Sequence, residues 1–189
     1  MLERLKHQNM TKICIMVWNV VRMMALKIIK GNRADVSVIQ NLHPSTEIAI
    51  EQGKLHLSHS VFTRRNVSLR AVSGELHIGT CFFNQGCVLI AMKKISIGDD
   101  CLFGPNVIIV DHDHDYSYIN NQRGNHYKMD DVIIGNNVWV GGNVTILRGT
   151  RIGDNCVIGA GCVVKGGVPA NTIMISRMEQ VNTTIVAHN

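Results

Sequence analysis

The sequence predicts an all-β prism of short parallel strands wound three to a coil, with a helix ahead of it and one loop extruded from it. Three observations carry that prediction. Six hexads run without a break from Ile134 to Pro169, reading IGNNVW, VGGNVT, ILRGTR, IGDNCV, IGAGCV and VKGGVP. Their first position (Ile134, Val140, Ile146, Ile152, Ile158, Val164) is always aliphatic, and their fifth (Val138, Val144, Thr150, Cys156, Cys162, Val168) is always small. A period of six fits neither a helix nor a lone strand; it fits a chain that turns a corner after each short strand and stacks its first-position side chains inside. The composition agrees: 17 glycines and 5% aromatics suit many tight corners without a large globular core. Lastly, the beat stops at Asp113 and restarts at Ile134, and an insertion in a solenoid marks the working face.

Residues 1–30 are a different material. The stretch ICIMVWNVVRMMALKII (13–29) is strongly apolar, and Ile13, Val17, Val20, Val21, Met24 and Ile28 recur at helical spacing. Its length is at the lower edge of a membrane span, and Arg22 and Lys27 argue against crossing. Arg4, Lys6, Lys12, Arg22, Lys27 and Lys30 are basic, with Glu3 the only acid. We expect a helix that covers the blunt end of the prism or a neighbouring subunit, with an interfacial helix on an anionic membrane as the alternative. An open prism end needs a cap, which favours the first.

Residues 31–56 read as a transition, with Gly31-Asn32 ending the helix and Pro44 punctuating. The six-residue beat then begins imperfectly. Leu57, Thr63 and Leu69 are first positions, extra residues at Ser73–Glu75 break phase, and Ile78 resumes it. One more residue is inserted near Asn84, after which Ala91, Ile97, Phe103 and Ile109 keep phase. The β-helix domain is assigned to 57–175, its extruded loop to 113–132 and a C-terminal tail to 176–189.

The net charge of +5 is spread thinly, and no lysine-rich run or nucleic-acid motif accompanies it, so nucleic acid is not an expected partner. Of the six cysteines, Cys101, Cys156 and Cys162 fall at fifth positions, and none of the six forms a Cys-x-x-Cys pair. They read as small buried hydrophobes in a reducing, cytoplasmic compartment. No small-residue cleavage site follows the apolar stretch, so no signal peptide is expected.

The motifs IGDDCLFGPNVIIVDHDHDY (97–116) and IGNNVWVGG (134–142), beside the six hexads, resemble the hexapeptide-repeat acyltransferases. The resemblance covers roughly residues 53–169 and is similar in particular to the galactoside and maltose O-acetyltransferases and the capsule-type polysaccharide O-acetyltransferases. It implies a left-handed parallel β-helix, a homotrimer with sites between subunits, acetyl coenzyme A as donor and a carbohydrate acceptor, with no metal. It further implies that His114, 17 residues after Ile97, is the general base, with His112 as fallback. Asn84 matches the residue that contacts the acceptor hydroxyl. Trp139 matches the tryptophan walling the pantetheine channel, and the Gly142 N–H the oxyanion donor. Gly141, Gly142, Gly159 and Ala160 form a smooth wall for the thioester arm. Lys165, with Arg148, Arg151 and Arg177, is a candidate for the phosphates.

These types suit the chemistry. A sugar hydroxyl attacks a thioester poorly unless a base takes its proton, and a histidine near neutrality does this. The oxyanion formed needs a preplaced N–H donor, and no acyl-enzyme is required when both substrates are held together. Asp111, Asp113 and Asp115 are candidates to orient the imidazole, as is a backbone carbonyl. The loop holds all three tyrosines, Tyr116, Tyr118 and Tyr127, whose rings offer faces to a sugar if the loop is a lid.

Two departures from the family pattern matter. Ala91 and Met92 stand where the galactoside enzymes carry a carboxylate, which removes the basis for galactoside specificity. The tail lacks the usual Gly-x-Pro-Ala-Lys/Arg segment, so the adenine end of the groove has no motif. Alternative readings are another acceptor (an amino-sugar nucleotide or serine), a non-catalytic β-helix scaffold, and a zinc hydratase using His112, His114 and His126. The last is disfavoured because the coil carrying Trp139 has no histidine.

Overall fold

The computed structural model describes residues 2–115, 117 and 126–176. One helix, α1 (Leu2–Lys30), precedes a parallel β-helix of triangular section. Its first face stacks seven strands: Ala34–Val36, Lys54–Leu57, Glu75–Ile78, Lys94–Ile97, Val132–Ile134, Arg151–Ile152 and Gly167–Val168. The second stacks six, from Phe62–Thr63 through Cys81–Phe83, Cys101–Phe103, Trp139–Val140 and Val157–Ile158 to Ile173–Met174. The third stacks Glu47–Ile50, Ser68–Ala71, Val88–Ala91, Ile108–Val110, Thr145–Ile146 and Val163–Val164. This is the all-β architecture expected from the beat.

Side chains alternate in and out along each strand, and register makes the inward ones continuous columns. On the first face Leu57, Ile78, Ile97, Ile134, Ile152 and Val168 pair in turn and are buried. On the second, Phe83 and Phe103 stack inside the prism with ring centroids 4.6 Å apart. The small fifth positions are buried at the corners, Cys156 and Cys162 among them. At many of these corners the chain adopts the left-handed conformation, with φ between 53° and 59° at Asn66, Asp100, Asn106, Asn137, Asn143, Asn155 and Asn171. Asparagine tolerates that region, and its amide ties successive coils: Asn137 donates to Asn155 at 2.9 Å, and Asn155 to Asn171 at 3.1 Å.

The β-helix starts earlier than the in-phase hexads. Ala34–Val36, Glu47–Ile50 and most of Lys54–Leu57 lie inside the stretch read as a transition, and Ala34, Val36, Leu42 and Ile50 are core residues. The first coil keeps the beat, with Val36, Leu42 and Ile48 at successive sixth positions, but it is out of phase with the hexads that follow: Val36 stands opposite Leu57 and Ile48 opposite Leu69, 21 residues on, which is not a multiple of six.

Helix α1 caps that first coil, but not with the stripe the periodicity singles out. Met23 is fully buried against the core, Asn19 is buried and donates to the Leu42 carbonyl at 2.9 Å, and Arg22 donates to the Thr46 carbonyl. At 3.6 residues per turn, Ile13, Val17, Val21, Met24 and Ile28 fall on the opposite side of the helix, where each is more than half exposed. Burying a Met side chain is worth about 1.5–3 kcal/mol, so the cap rests on a few contacts and leaves most of the helix's apolar surface uncovered. Among the described residues, no helix is long and apolar enough to cross a membrane.

Candidate active site

The ladder of the first face passes directly from Ile97 to Ile134, so the chain between them leaves and rejoins the coil at one edge, between the third and first faces. It leaves as a β-hairpin, not as a loop from its start: His112–His114 pairs antiparallel with Tyr127–Met129, His114 opposite Tyr127. The Asp130 N–H closes the base on the Asp111 carbonyl at 2.9 Å. The Asp111 carboxylate is wholly buried and accepts the backbone N–H groups of Met92 and Lys93 at 2.9 and 2.7 Å. It also meets His112 Nδ1 at 3.1 Å. The Tyr127 ring lies between the two histidines, its centroid 4.7 Å from that of His114 and 5.6 Å from that of His112. His114 is exposed and His112 half-buried.

The flanking carboxylates are already partnered. Arg148 Nε donates to Asp113 at 2.6 Å, and Lys128 lies 3.0 Å from Asp115. The Ser117 hydroxyl is the main reason the Asp115 carboxyl is held down to about 2. Two expectations are thereby corrected. Among the described residues no carboxylate is hydrogen-bonded to His114: Asp111 orients His112 instead, because its side chain is turned inward to the backbone of the preceding coil. Arg148, a candidate for a phosphate, is committed to Asp113. Tyr116, Tyr118 and Arg177 lie outside the described residues.

A second group gathers at the edge between the second and third faces. Asn84, Gly104, Gly141 and Gly159 each donate backbone N–H to the next coil there, to Phe103, Val140, Ile158 and Met174 at 2.7–3.0 Å. Gly141 is a glycine for packing, since a Cβ there would come 2.6 Å from the Ala160 nitrogen. Gly142 is different. A Cβ on it would meet Pro105, the ring at 3.2 Å and the carbonyl oxygen at 3.4 Å, and no acceptor among the described residues meets its N–H. A Cβ on Gly104 would lie 2.6 Å from that same nitrogen, so Gly104 leaves the donor uncovered. Asn84 Oδ1 accepts the Gln85 N–H at 2.8 Å, as a turn residue does, which leaves its amide NH2 for other partners. Trp139, 58% exposed, projects from the second face within an outward apolar column set by register: Phe62, Phe82, Leu102, Trp139, Val157 and Ile173.

One chain does not bring these two groups together. Residues Asn143 to Leu147 cross the third face between them, roughly 15 Å of extended chain. His114 and Tyr127 stand at the hairpin edge, as does exposed Lys165, whereas Asn84, Trp139, Gly141, Gly142, Gly159 and Ala160 stand at the other. Sequence reasoning named Asp111 and His112 without pairing them, since spacing does not say which histidine a buried carboxylate faces, and it passed over Gly104. Gly104 carried the signal of a second-position glycine in its hexad.

Five cysteines are buried and Cys14 is exposed, all of them free. Burial pushes the Cys87 thiol up to about 11, far from a reactive thiolate at neutral pH. Among the described residues no group of three His, Cys, Asp or Glu side chains could hold a metal ion.

Comparison with known proteins adds three findings. The family model described as bacterial transferase hexapeptide (six repeats) matches residues 131–166, and that of the hexapeptide repeat of succinyl-transferase matches 94–110. The chain is similar to galactoside O-acetyltransferase of Escherichia coli (strain K12), 37% identical over 100 residues, which cover 52% of this chain and 49% of the relative. It is similar also to the putative lipopolysaccharide biosynthesis O-acetyl transferase WbbJ of the same organism, 35% identical over 94 residues, 46% of this chain and 48% of the relative. The chain thus spans about half the length of the curated relatives it matches. Among solved structures, a point mutant of AntD, an N-acyltransferase from Bacillus cereus in complex with dTDP-4-amino-4,6-dideoxyglucose and coenzyme A, has the same fold. Its TM-score is 0.63 at 20% identity, over 81% of this chain and 83% of that one.

Proposed function

We propose that the chain, matched over residues 131–166 by the bacterial transferase hexapeptide model and similar to a galactoside O-acetyltransferase, is an acetyl-coenzyme-A-dependent O-acetyltransferase of a sugar hydroxyl, acting in surface-polysaccharide biosynthesis. The acceptor class is supported by the O-acetyltransferase relatives. The observation that carries the reading is the division of the candidate residues between two edges of one prism, each edge holding half of a transfer site. The hairpin edge offers a base beside an aromatic ring. The other offers an open N–H donor beside a tryptophan wall.

In this reading the chain works as a homotrimer in the cytoplasm, with the hairpin edge of one copy against the Asn84–Gly142 edge of the next. The apolar column through Trp139 supports such packing. His114 takes the proton of the acceptor hydroxyl as its oxygen attacks the thioester carbon, with the Asn84 amide positioning that oxygen. The Gly142 N–H stabilises the oxyanion, the carbon–sulfur bond breaks, and the proton passes from His114 to the leaving thiolate. The products are an acetyl ester and free coenzyme A thiol. Lys165 and Arg151 remain candidates for the nucleotide phosphates, Tyr127 for the sugar. Residues 1–30 give the enzyme a peripheral position at the inner face of the membrane.

Mixing tests the division. His114→Ala and Asn84→Ala chains, each inactive alone, should recover about a quarter of wild-type turnover when co-assembled, because a site between copies is then intact wherever a good edge meets a good edge. A monomer with full activity, or no recovery in a proven mixed trimer, sinks the shared site. A second reading has one observation in its favour: His112, oriented by Asp111, is the base, and His114 supports Tyr127.

A further inference from the structure

Helix α1 has two apolar sides, and the β-helix uses one. On the outward side stand Ile13, Val17, Trp18, Val21, Met24 and Ile28, between 53% and 83% exposed. At 3.6 residues per turn they form one stripe over roughly half the helix circumference, and no charged side chain interrupts it. The stripe continues into an apolar groove of about 510 Å³ where Ile13 and Met16 face Phe62 of the first coils, with Lys12 and Asn41 beside it.

Its charges have a single sign. From residue 12 to residue 33 the chain carries Lys12, Arg22, Lys27, Lys30 and Arg33 and no acidic residue. Arg22 is turned inward to Thr46, whereas Lys27 is exposed at the flank of the stripe and Lys12 is exposed beside the groove. Such a helix is repelled by a second copy of itself and attracted to a surface of opposite charge. An uncharged apolar stripe with lysines at its margins, able to lay their stems along the apolar surface and their ammonium groups outward, matches the boundary between acyl chains and anionic headgroups.

We infer that the outward stripe of α1 docks on an anionic lipid bilayer, lying in the interface with its cap face on the β-helix, the groove beside Phe62 being the place where an acyl chain enters. The inference deepens the transferase reading by supplying the surface on which a lipid-linked acceptor is presented; it rests on that reading for its purpose only. The binding itself follows from the helix.

The test uses the full chain without acetyl coenzyme A. Vesicles of phosphatidylglycerol and phosphatidylcholine at about 0.1 M salt should carry the protein upward in a flotation gradient. Vesicles of phosphatidylcholine alone should carry at least about tenfold less, and Val17→Glu/Val21→Glu should abolish flotation while leaving circular dichroism and acetyl-coenzyme-A binding unchanged. Alkylation of the exposed Cys14, which lies on the same side of the helix, should slow on adding anionic vesicles. The proposal is overturned if the native chain stays at the bottom with anionic vesicles. It is overturned equally if Cys14 is protected without lipid in proportion to protein concentration, the signature of a second copy on the stripe. A native chain that does not float yet transfers acetyl groups would reject this inference, with the peripheral position it details, and spare the acetyl transfer proposed above.

Discussion

The buried Asp111 carboxylate holds the His112 imidazole at 3.1 Å while accepting the backbone of Met92 and Lys93. It therefore fastens the root of the hairpin to the preceding coil as well as orienting a histidine. Replacing it by Ala leaves two partly buried N–H donors without their acceptor and should cost about 1–3 kcal/mol. Asn keeps one acceptor oxygen and should cost less than half of that. Urea unfolding of the two variants measures both; equal losses would deny the carboxylate this tethering role.

His114→Ala should lower kcat by about two to four orders of magnitude with little change in the KM for acetyl coenzyme A, the range expected for a general base. His112→Ala should cost far less. Steady-state kinetics decide between them, and a reversed order would move the base to the histidine that Asp111 holds.

Trp139→Ala should act the other way. In the proposed site Trp139 walls the donor alone and contributes to binding, so the KM for acetyl coenzyme A should rise roughly tenfold, about 1.4 kcal/mol, with kcat nearly unchanged. A fall in kcat alone would place the ring at the reacting carbon instead.

Gly141→Ala and Gly142→Ala should separate fold from chemistry. The first drives a methyl to 2.6 Å from the Ala160 backbone and should lower Tm by several degrees. The second brings a methyl no closer than 3.2 Å, to the ring and carbonyl oxygen of Pro105, and should lower Tm far less. Differential scanning calorimetry of the pair checks this, and equal Tm values would overturn it.

No acetyl group should accumulate on the enzyme, because the cysteines inside the prism are buried and the Cys87 thiol is pushed up to about 11. Intact mass after incubation with acetyl coenzyme A alone should be unchanged. A stoichiometric gain lost on adding acceptor would replace direct transfer with a covalent route.

What the residues disclosed, and what they withheld, follows from how each part is specified. A column such as Ile134, Ile152 and Val168 is written locally, one residue per strand, so the beat exposes the prism and its phase. The first coil has the same beat at Val36, Leu42 and Ile48, but its offset of 21 residues from Leu57 and Leu69 puts it out of phase with the later hexads, and phase is all that a local period reports. The helix misled for a different reason: it is apolar on more than one side, and periodicity reports the longer stripe through Val17 and Val21, not the shorter side holding Asn19 and Met23. In the candidate site, the family motifs single out His114 and Gly142, but not that they stand on different edges. Which edge a residue occupies depends on its count within the coil, whereas the side-chain partner of Asp111 depends on rotamers that no spacing encodes.

The two ends of the hairpin are joined to each other, Asp130 to Asp111 at 2.9 Å, while the first-face ladder passes from Ile97 to Ile134 as though nothing lay between. The excursion is therefore topologically a side branch. A segment of different length or composition grafted between those two aspartates would leave every rung above and below in place, because the pairing that carries the prism does not run through it.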